Sequence, residues 1–287
     1  MRSRVLVATA AAVVLALVPV RAQWPAFPDK KVPLKADGTV NLDAPTPRTP
    51  DGKPDLTGVW LNEWFYGGQV KQPPKALPGE PPPSTFGNIG ANFPNGLPLQ
   101  PWAAKLRAER KAAGSKDNPD AHCLPMGLMQ FHEHPQPRKM IQTPDVLVIL
   151  YEGNAGVRQI FTDGRALPKN DPQPWWYGYS VGHWEGDTLV VETTGLRDGG
   201  WLDIDGSPQT DAAKITERFR RLNYGTMKID VTIDDPKAYT APFSVRVNQK
   251  LMVDERTDAE LIEFICAENE RDVEHMKFLG GPGSAGK

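Results

Sequence analysis

Met227-Lys228-Ile229-Asp230-Val231-Thr232-Ile233-Asp234 decides the fold. Met227, Ile229, Val231 and Ile233 fall on one parity, and Lys228, Asp230, Thr232 and Asp234 on the other. Successive side chains of a strand point to opposite faces, so the segment has one packed face and one wet face. Antiparallel sheets carry that alternation, whereas parallel sheets buried on both sides read as continuous apolar runs. Val245, Val247, Leu251 and Val253 repeat the pattern, with Gln249 as its exception.

Outward from this segment the chain reads as a meander. The expected strands are 58–66, 139–143, 146–152, 157–163, 179–184, 187–194, 214–222, 227–234, 244–253 and 260–267, ten in all. Glu185-Gly186 makes a hairpin turn, and Asn223-Tyr224-Gly225 makes another connection. Crossover helices between the strands are missing, which excludes a parallel α/β fold. Short links favour pairing of sequence neighbours. The expected fold is all-β, an antiparallel up-and-down barrel whose closure removes exposed edges. The meander occupies 138–270, and 271–287 reads as a flexible tail.

Residues 23–100 hold 15 of the 29 prolines and nine glycines, so they predict an extended Pro/Gly-rich arm laid over the body. Within it, 57–66 is the first strand. The segment 101–137 carries a helix and a cysteine-containing loop. Pro101 at the first helical position and Gly114 after Ala113 bound a helix outside the sheet, with Trp102, Leu106 and Ala113 as a weak apolar stripe.

The N-terminus predicts export. Arg2 and Arg4 precede an uncharged apolar run, Val5 to Val18, and Val20-Arg21-Ala22 offers a cleavage site, so 1–22 reads as a signal peptide. Fourteen apolar residues fall short of the ~20 a spanning helix needs. Removing 1–22 leaves 30 basic residues against 35 acidic ones, a net charge of −5. That mild acidity, with no basic block, argues against nucleic acid or an anionic membrane as partner, and no stable membrane insertion is expected. The expected location is the periplasm or the medium. There an even pair, Cys123 and Cys266, reads first as a disulfide closing a loop of about 140 residues. Free thiols and metal ligation are the alternatives.

Several motifs resemble a widespread group of secreted bacterial proteins to which no agreed activity attaches. They are Pro54-Asp55-Leu56-Thr57-Gly58-Val59-Trp60, Cys123-Leu124-Pro125-Met126-Gly127, Gln142-Thr143-Pro144 and Leu150-Tyr151-Glu152. Asp163-Gly164-Arg165, Gly178-Tyr179-Ser180-Val181-Gly182 and Trp184-Glu185-Gly186-Asp187-Thr188-Leu189-Val190-Val191-Glu192-Thr193 follow. Thr216-Glu217-Arg218-Phe219, Thr232-Ile233-Asp234-Asp235-Pro236 and Cys266-Ala267-Glu268-Asn269 complete the set. The chain departs from that group near Leu167 and Gln209, where its members often carry histidine. Gly58-Val59-Trp60 before a meander also resembles the first strand of lipocalins, which implies a calyx for a small, mostly apolar ligand.

Three groups of residues are candidates for chemistry. Trp175, Trp176, Tyr177 and Tyr179, with Trp184 and Trp201 nearby, suit stacking on a ring at a barrel mouth, or a hydrophobic plug. Strand charges form the second group. Glu217 shares a face with Ile215 and Phe219, where an unpaired carboxylate would have a raised pKa and act as acid or base. Glu192 and His183 join it as catalytic candidates, with Arg165 or Arg218 holding an anionic group; a buried or rim Arg–Glu network is the structural alternative. The third group, His122, Cys123, Met126, Met129, His132 and His134, suits copper or zinc, but Pro125, Pro135 and Pro137 read it as a polar loop.

No Gly-x-Ser-x-Gly elbow, Walker loop, dinucleotide fingerprint, haem-attachment signature or His-Glu-x-x-His is present. The leading expectation is an exported barrel with an internal pocket for a small apolar or aromatic molecule, gated by Trp175, Trp176 and Tyr177. The alternatives are a cofactor-independent lyase, isomerase or hydrolase in the same pocket, and an envelope metal-handling protein. No cofactor is expected.

Overall fold

The computed structural model describes residues 32–66, 78–169, 173–253 and 260–266. The expected signal peptide, 1–22, and tail, 271–287, lie outside the described residues.

Nine strands close into a barrel. They are β1 (Gly58–Asn62), β2 (Arg138–Gln142), β3 (Val146–Tyr151), β4 (Val157–Phe161), β5 (Tyr179–Glu185), β6 (Thr188–Thr194), β9 (Lys214–Arg221), β10 (Thr226–Asp234) and β11 (Phe243–Leu251). The order around the barrel is β1-β11-β10-β9-β6-β5-β4-β3-β2. Two short strands, β7 (Gly200–Trp201) and β8 (Pro208–Gln209), pair separately within the excursion between β6 and β9. The first strand closes the barrel by pairing with the last on one side (Trp60↔Leu251) and with β2 on the other (Trp60↔Arg138).

The alternation read in 227–234 is the alternation of the barrel wall. Met227, Ile229, Val231 and Ile233 are fully buried, facing Phe219 and Ile215 of β9 and Val245 and Val247 of β11. The β5–β6 hairpin turns through Gly186, whose φ of 59° is open to glycine at little steric cost.

Two expectations change. Residues 260–266 contain no strand, so the barrel has nine staves rather than ten. Glu260 instead reaches back to Lys139, at 2.7 Å, and Cys266 to Cys123. In addition, β4 and β5 pair parallel, and only through Ile160↔Ser180 and Phe161↔Val181; every other barrel contact is antiparallel.

In the described part of the arm, 32–66 and 78–100, β1 is the only strand. Pro83 bridges to Arg246 of β11 and Leu99 to Tyr239. Helix α1 (Pro101–Ala112) sits outside the barrel and buries Ala103, while Trp102 stays 46 % exposed. Arg110 at its C-terminal end stacks over Trp201 at 4.4 Å.

The largest departure is at 122–134. A 3₁₀ turn (Pro119–His122) leads to helix α2 (Leu128–Glu133), every residue of which is buried. Pro135 ends α2 by forcing His134 into extended backbone (ψ 142°). At Gly127 a Cβ would lie 2.1 Å from the Trp201 carbonyl oxygen, so only glycine permits this approach of α2 to β7. Leu128, Met129 and Phe131 join Trp60, Met140, Ile149, Phe219 and Val231 in one apolar cluster that fills the lumen. The expected polar loop is thus a core helix.

The disulfide Cys123–Cys266 is present, with a sequence separation of 143. Such bridges persist in oxidising compartments, which places the chain outside the cytoplasm. No helix among the described residues is long and apolar enough to cross a membrane.

Candidate functional site

Two sites touch each other through Arg158. One is a buried ionic network in the lumen; the other is an aromatic cavity at the junction of β4 and β5.

Inner-facing parity puts Glu217 of β9 among Ile215 and Phe219 without exposure. Arg158 of β4 closes on it, with Nη1 donating to Oε1 at 2.9 Å and Nη2 to Oε2. Arg158 also donates to Ser180 Oγ at 3.1 Å and Thr193 Oγ1 at 3.0 Å. From α2, His132 Nε2 reaches Glu217 Oε1 at 2.6 Å. The His132 carbonyl collects donors from Asn62 (3.2 Å), Arg138 (2.8 Å) and Gln249 (3.0 Å), on β1, β2 and β11. One residue of a six-residue helix therefore ties four staves together.

Burial pushes the Glu217 carboxyl up, but Arg158 and the His132 hydrogen bond pull harder and hold it at about 2. Burial lowers the His132 imidazole, outweighing Glu217, so the ring is neutral and Nε2 donates. Glu133, buried beside them, feels the Arg138 charge, but this offsets its burial only in part. Burial raises it to about 7 against the Asn62 Nδ2 hydrogen bond of 2.7 Å. Burial also lowers the Arg138 guanidinium to about 10.

The cavity holds about 310 Å³ and is lined by Val157, Arg158, Gln159, Phe161 and residues 175–180. Trp175 and Tyr179 lie 5.6 Å apart, and Tyr179 and Phe161 5.4 Å apart, centroid to centroid. Tyr177 turns inward against Phe131 at 5.2 Å, which in turn stacks on Tyr151 at 4.2 Å. Gly178 makes the bend into β5. Its φ is 62°, and a Cβ there would sit 2.6 Å from the Thr194 carbonyl oxygen. The loop is held on its far side, where Trp175 N–H donates to Gly195 (2.9 Å) and Arg197 N–H to Trp175 (2.8 Å).

The catalytic candidates do not converge. Glu217 is in the lumen, whereas Glu192 points outward to an ion pair with Lys214, and His183 is exposed and 3.3 Å from Glu185. Barrel parity separates them, since residues of opposite parity on paired strands face opposite sides. Of the ligand-contact candidates, Trp175, Trp176, Tyr177 and Tyr179 meet in the cavity. Arg165 flanks it, stacking over Phe161 at 3.8 Å and donating to the Tyr179 hydroxyl at 3.1 Å. Two stand apart: Trp201 is buried under α1, and Arg218 pairs with Glu185 at 2.8 Å on the outer wall.

Among the described residues no three His, Cys, Asp or Glu side chains group as metal ligands. Cys123 is bonded to Cys266, the exposed His122 ring bonds the Lys116 carbonyl at 2.8 Å, and His134 faces Asp120 at 3.6 Å.

Sequence reasoning missed Arg138 and Phe131, and it missed His132 as the partner of Glu217. Six helical residues are too few to display a 3.6-residue period. The available signal was Leu128-Met129 and Phe131 between Gly127 and Pro135.

No family model matches the chain, and no curated protein or solved structure is significantly similar to it.

Proposed function

We propose that this is an exported binding protein for a small apolar or aromatic molecule, and that the ligand sits in the cavity between β4 and residues 175–179. The observation that carries this reading is the wall of Phe161, Trp175, Trp176, Tyr177 and Tyr179 around about 310 Å³, with Arg158, Gln159 and Ser180 as its few polar groups. Ligand sites are mostly apolar, with a small number of placed polar groups, and their volumes begin near ~300 Å³. The ligand site is therefore on the flank of the barrel rather than in a calyx, since α2 and the inner side chains occupy the lumen.

An acid–base enzyme built on Glu217 finds less support. A carboxylate held at about 2 by Arg158 stays ionised at neutral pH and takes up no proton.

The test is titration with indole and related aromatics, read by tryptophan emission and calorimetry. Saturable binding to the wild type, lost in Trp176→Ala at unchanged stability, is the expected result. Binding that survives Trp176→Ala moves the ligand elsewhere and removes this site.

A further inference from the structure

The backbone of β4 adds a second recognition element to the cavity. The bonds Tyr151 N–H to Gly156 C=O and Thr162 N–H to Asp145 C=O, both 2.8 Å, fix which β4 residues face β3. Peptide groups alternate sides along a strand, so residues 156, 158, 160 and 162 turn to β3 and Val157, Gln159 and Phe161 turn away from it. On that side β5 pairs only with Ile160 and Phe161. A parallel ladder of that register engages the Gln159 C=O and both groups of Phe161. The Gln159 N–H and the N–H and C=O of Val157 then face the space beside β4, and no bond to them is found among the described residues. In the 175–178 backbone, Trp175 bonds Gly195 and Arg197 and Gly178 N–H turns back to Trp175, away from β4. Val157 and Gln159 both line the cavity, and Val157 is 54 % exposed.

An unpaired strand edge beside aromatic pockets is the arrangement that binds an extended chain by strand addition. We infer that the ligand presents the main chain of an amino-acid residue: a short peptide bearing an aromatic or apolar side chain, laid parallel to β4 where β5 falls short. Its N–H donates to the Val157 C=O, its C=O accepts from the Gln159 N–H, and its side chain packs on Trp175, Trp176 and Tyr179. Val157 C=O and Gln159 N–H are two residues apart on one edge, the spacing at which a single parallel neighbour engages both. About 310 Å³ suits one such residue with its flanking amides.

This inference rests on the cavity being the ligand site, and the experiment separates the two. N-acetyl-phenylalanine N-methylamide, its analogue methylated on the phenylalanine nitrogen, and amide-free propylbenzene are titrated calorimetrically against the whole protein. The parent is expected to bind at least about fivefold more tightly than either analogue, the worth of one or two matched hydrogen bonds. Gln159→Pro removes a cavity-facing N–H and no bond to β3, and should reduce binding of the parent similarly. Should that variant not fold, the ligand series on the wild type decides alone. Equal affinity for all three ligands overturns main-chain recognition while leaving the cavity in place. Binding of none overturns both.

Discussion

His132 Nε2 lies 2.6 Å from Glu217 Oε1, the same oxygen that accepts from Arg158 Nη1 at 2.9 Å. The three residues come from α2, β9 and β4, are separated by up to 85 positions, and have side chains at most 1 % exposed. A carboxylate so enclosed is tolerable only because it is paired and hydrogen-bonded on both oxygens. The neutral ring of His132 supplies a donor without adding a second positive charge.

Glu217→Gln therefore leaves the Arg158 guanidinium buried without its counter-charge. The expected loss is about 3–5 kcal/mol in a urea unfolding curve at neutral pH. Replacing Arg158 and Glu217 together by methionine should recover most of it, since both desolvation penalties vanish. An unchanged midpoint for Glu217→Gln would show that the pair contributes nothing.

Glu133 and Glu217 give the stability curve opposite slopes. Glu217 falls from an ordinary 4.5 to about 2 in the folded protein, so its contribution is present above 4.5 and is lost as the pH falls towards 2. Glu133 rises from 4.5 to about 7, so the folded state binds the extra proton and stability declines as the pH climbs from 4.5 to 7. Each effect is on the order of 3 kcal/mol. Glu133→Gln keeps an oxygen for the Asn62 amide and removes the charge. It should be more stable than the wild type at pH 8 and nearly equal at pH 4, by unfolding midpoints at both values. A constant difference between the two pH values would exclude a buried, titrating Glu133.

The barrel was legible because its signal is long and repeated. Met227 to Ile233 cannot hide their polar alternates in a helix, and the turn at Gly186 fixes the β5–β6 pair. The parallel joint of β4 with β5 was not legible, because it depends on two residue pairs and on the course of the intervening loop. The aromatic wall could be read from Trp175, Trp176 and Tyr177 as a group, although Trp201 was drawn in by proximity in sequence alone. His132 was misread for a different reason. Its neighbours His134 and Pro135 are polar or helix-breaking, whereas its environment is set by Glu217 and Phe219, far away in the chain.

The Cys123–Cys266 bridge encloses most of the barrel within its 143-residue loop. In the chain-entropy view, opening it frees the unfolded chain and costs about 5 kcal/mol at most, with typical bridges giving about 2–4. Replacing both cysteines by alanine should lower the unfolding midpoint accordingly and expose 260–266 to protease. That segment is otherwise anchored by the Lys139–Glu260 pair and by Ile262 N–H on Glu152 at 3.2 Å. Retained protection of 260–266 in the reduced protein would mean that those two contacts suffice.

Gly127→Ala tests whether α2 is seated as tightly as its burial implies. The backbone at Gly127 is at φ −60°, ψ 152°, which alanine adopts freely, so any penalty is steric. The added methyl would meet the Trp201 carbonyl oxygen at 2.1 Å, and that atom belongs to a paired strand rather than to the end of a flexible side chain. Either α2 or β7 must move, and moving α2 disturbs the His132 carbonyl that Asn62, Arg138 and Gln249 share. A loss of at least about 1–3 kcal/mol is expected, the range for overpacking a filled core. Gly87→Ala is the matched control, since a Cβ there meets nothing within 4 Å. Its midpoint should stay within about 1 kcal/mol of the wild type, or rise as the unfolded chain loses freedom. If the two variants unfold together, the approach of α2 to β7 is looser than 2.1 Å implies, and the lumen is not held shut by this helix.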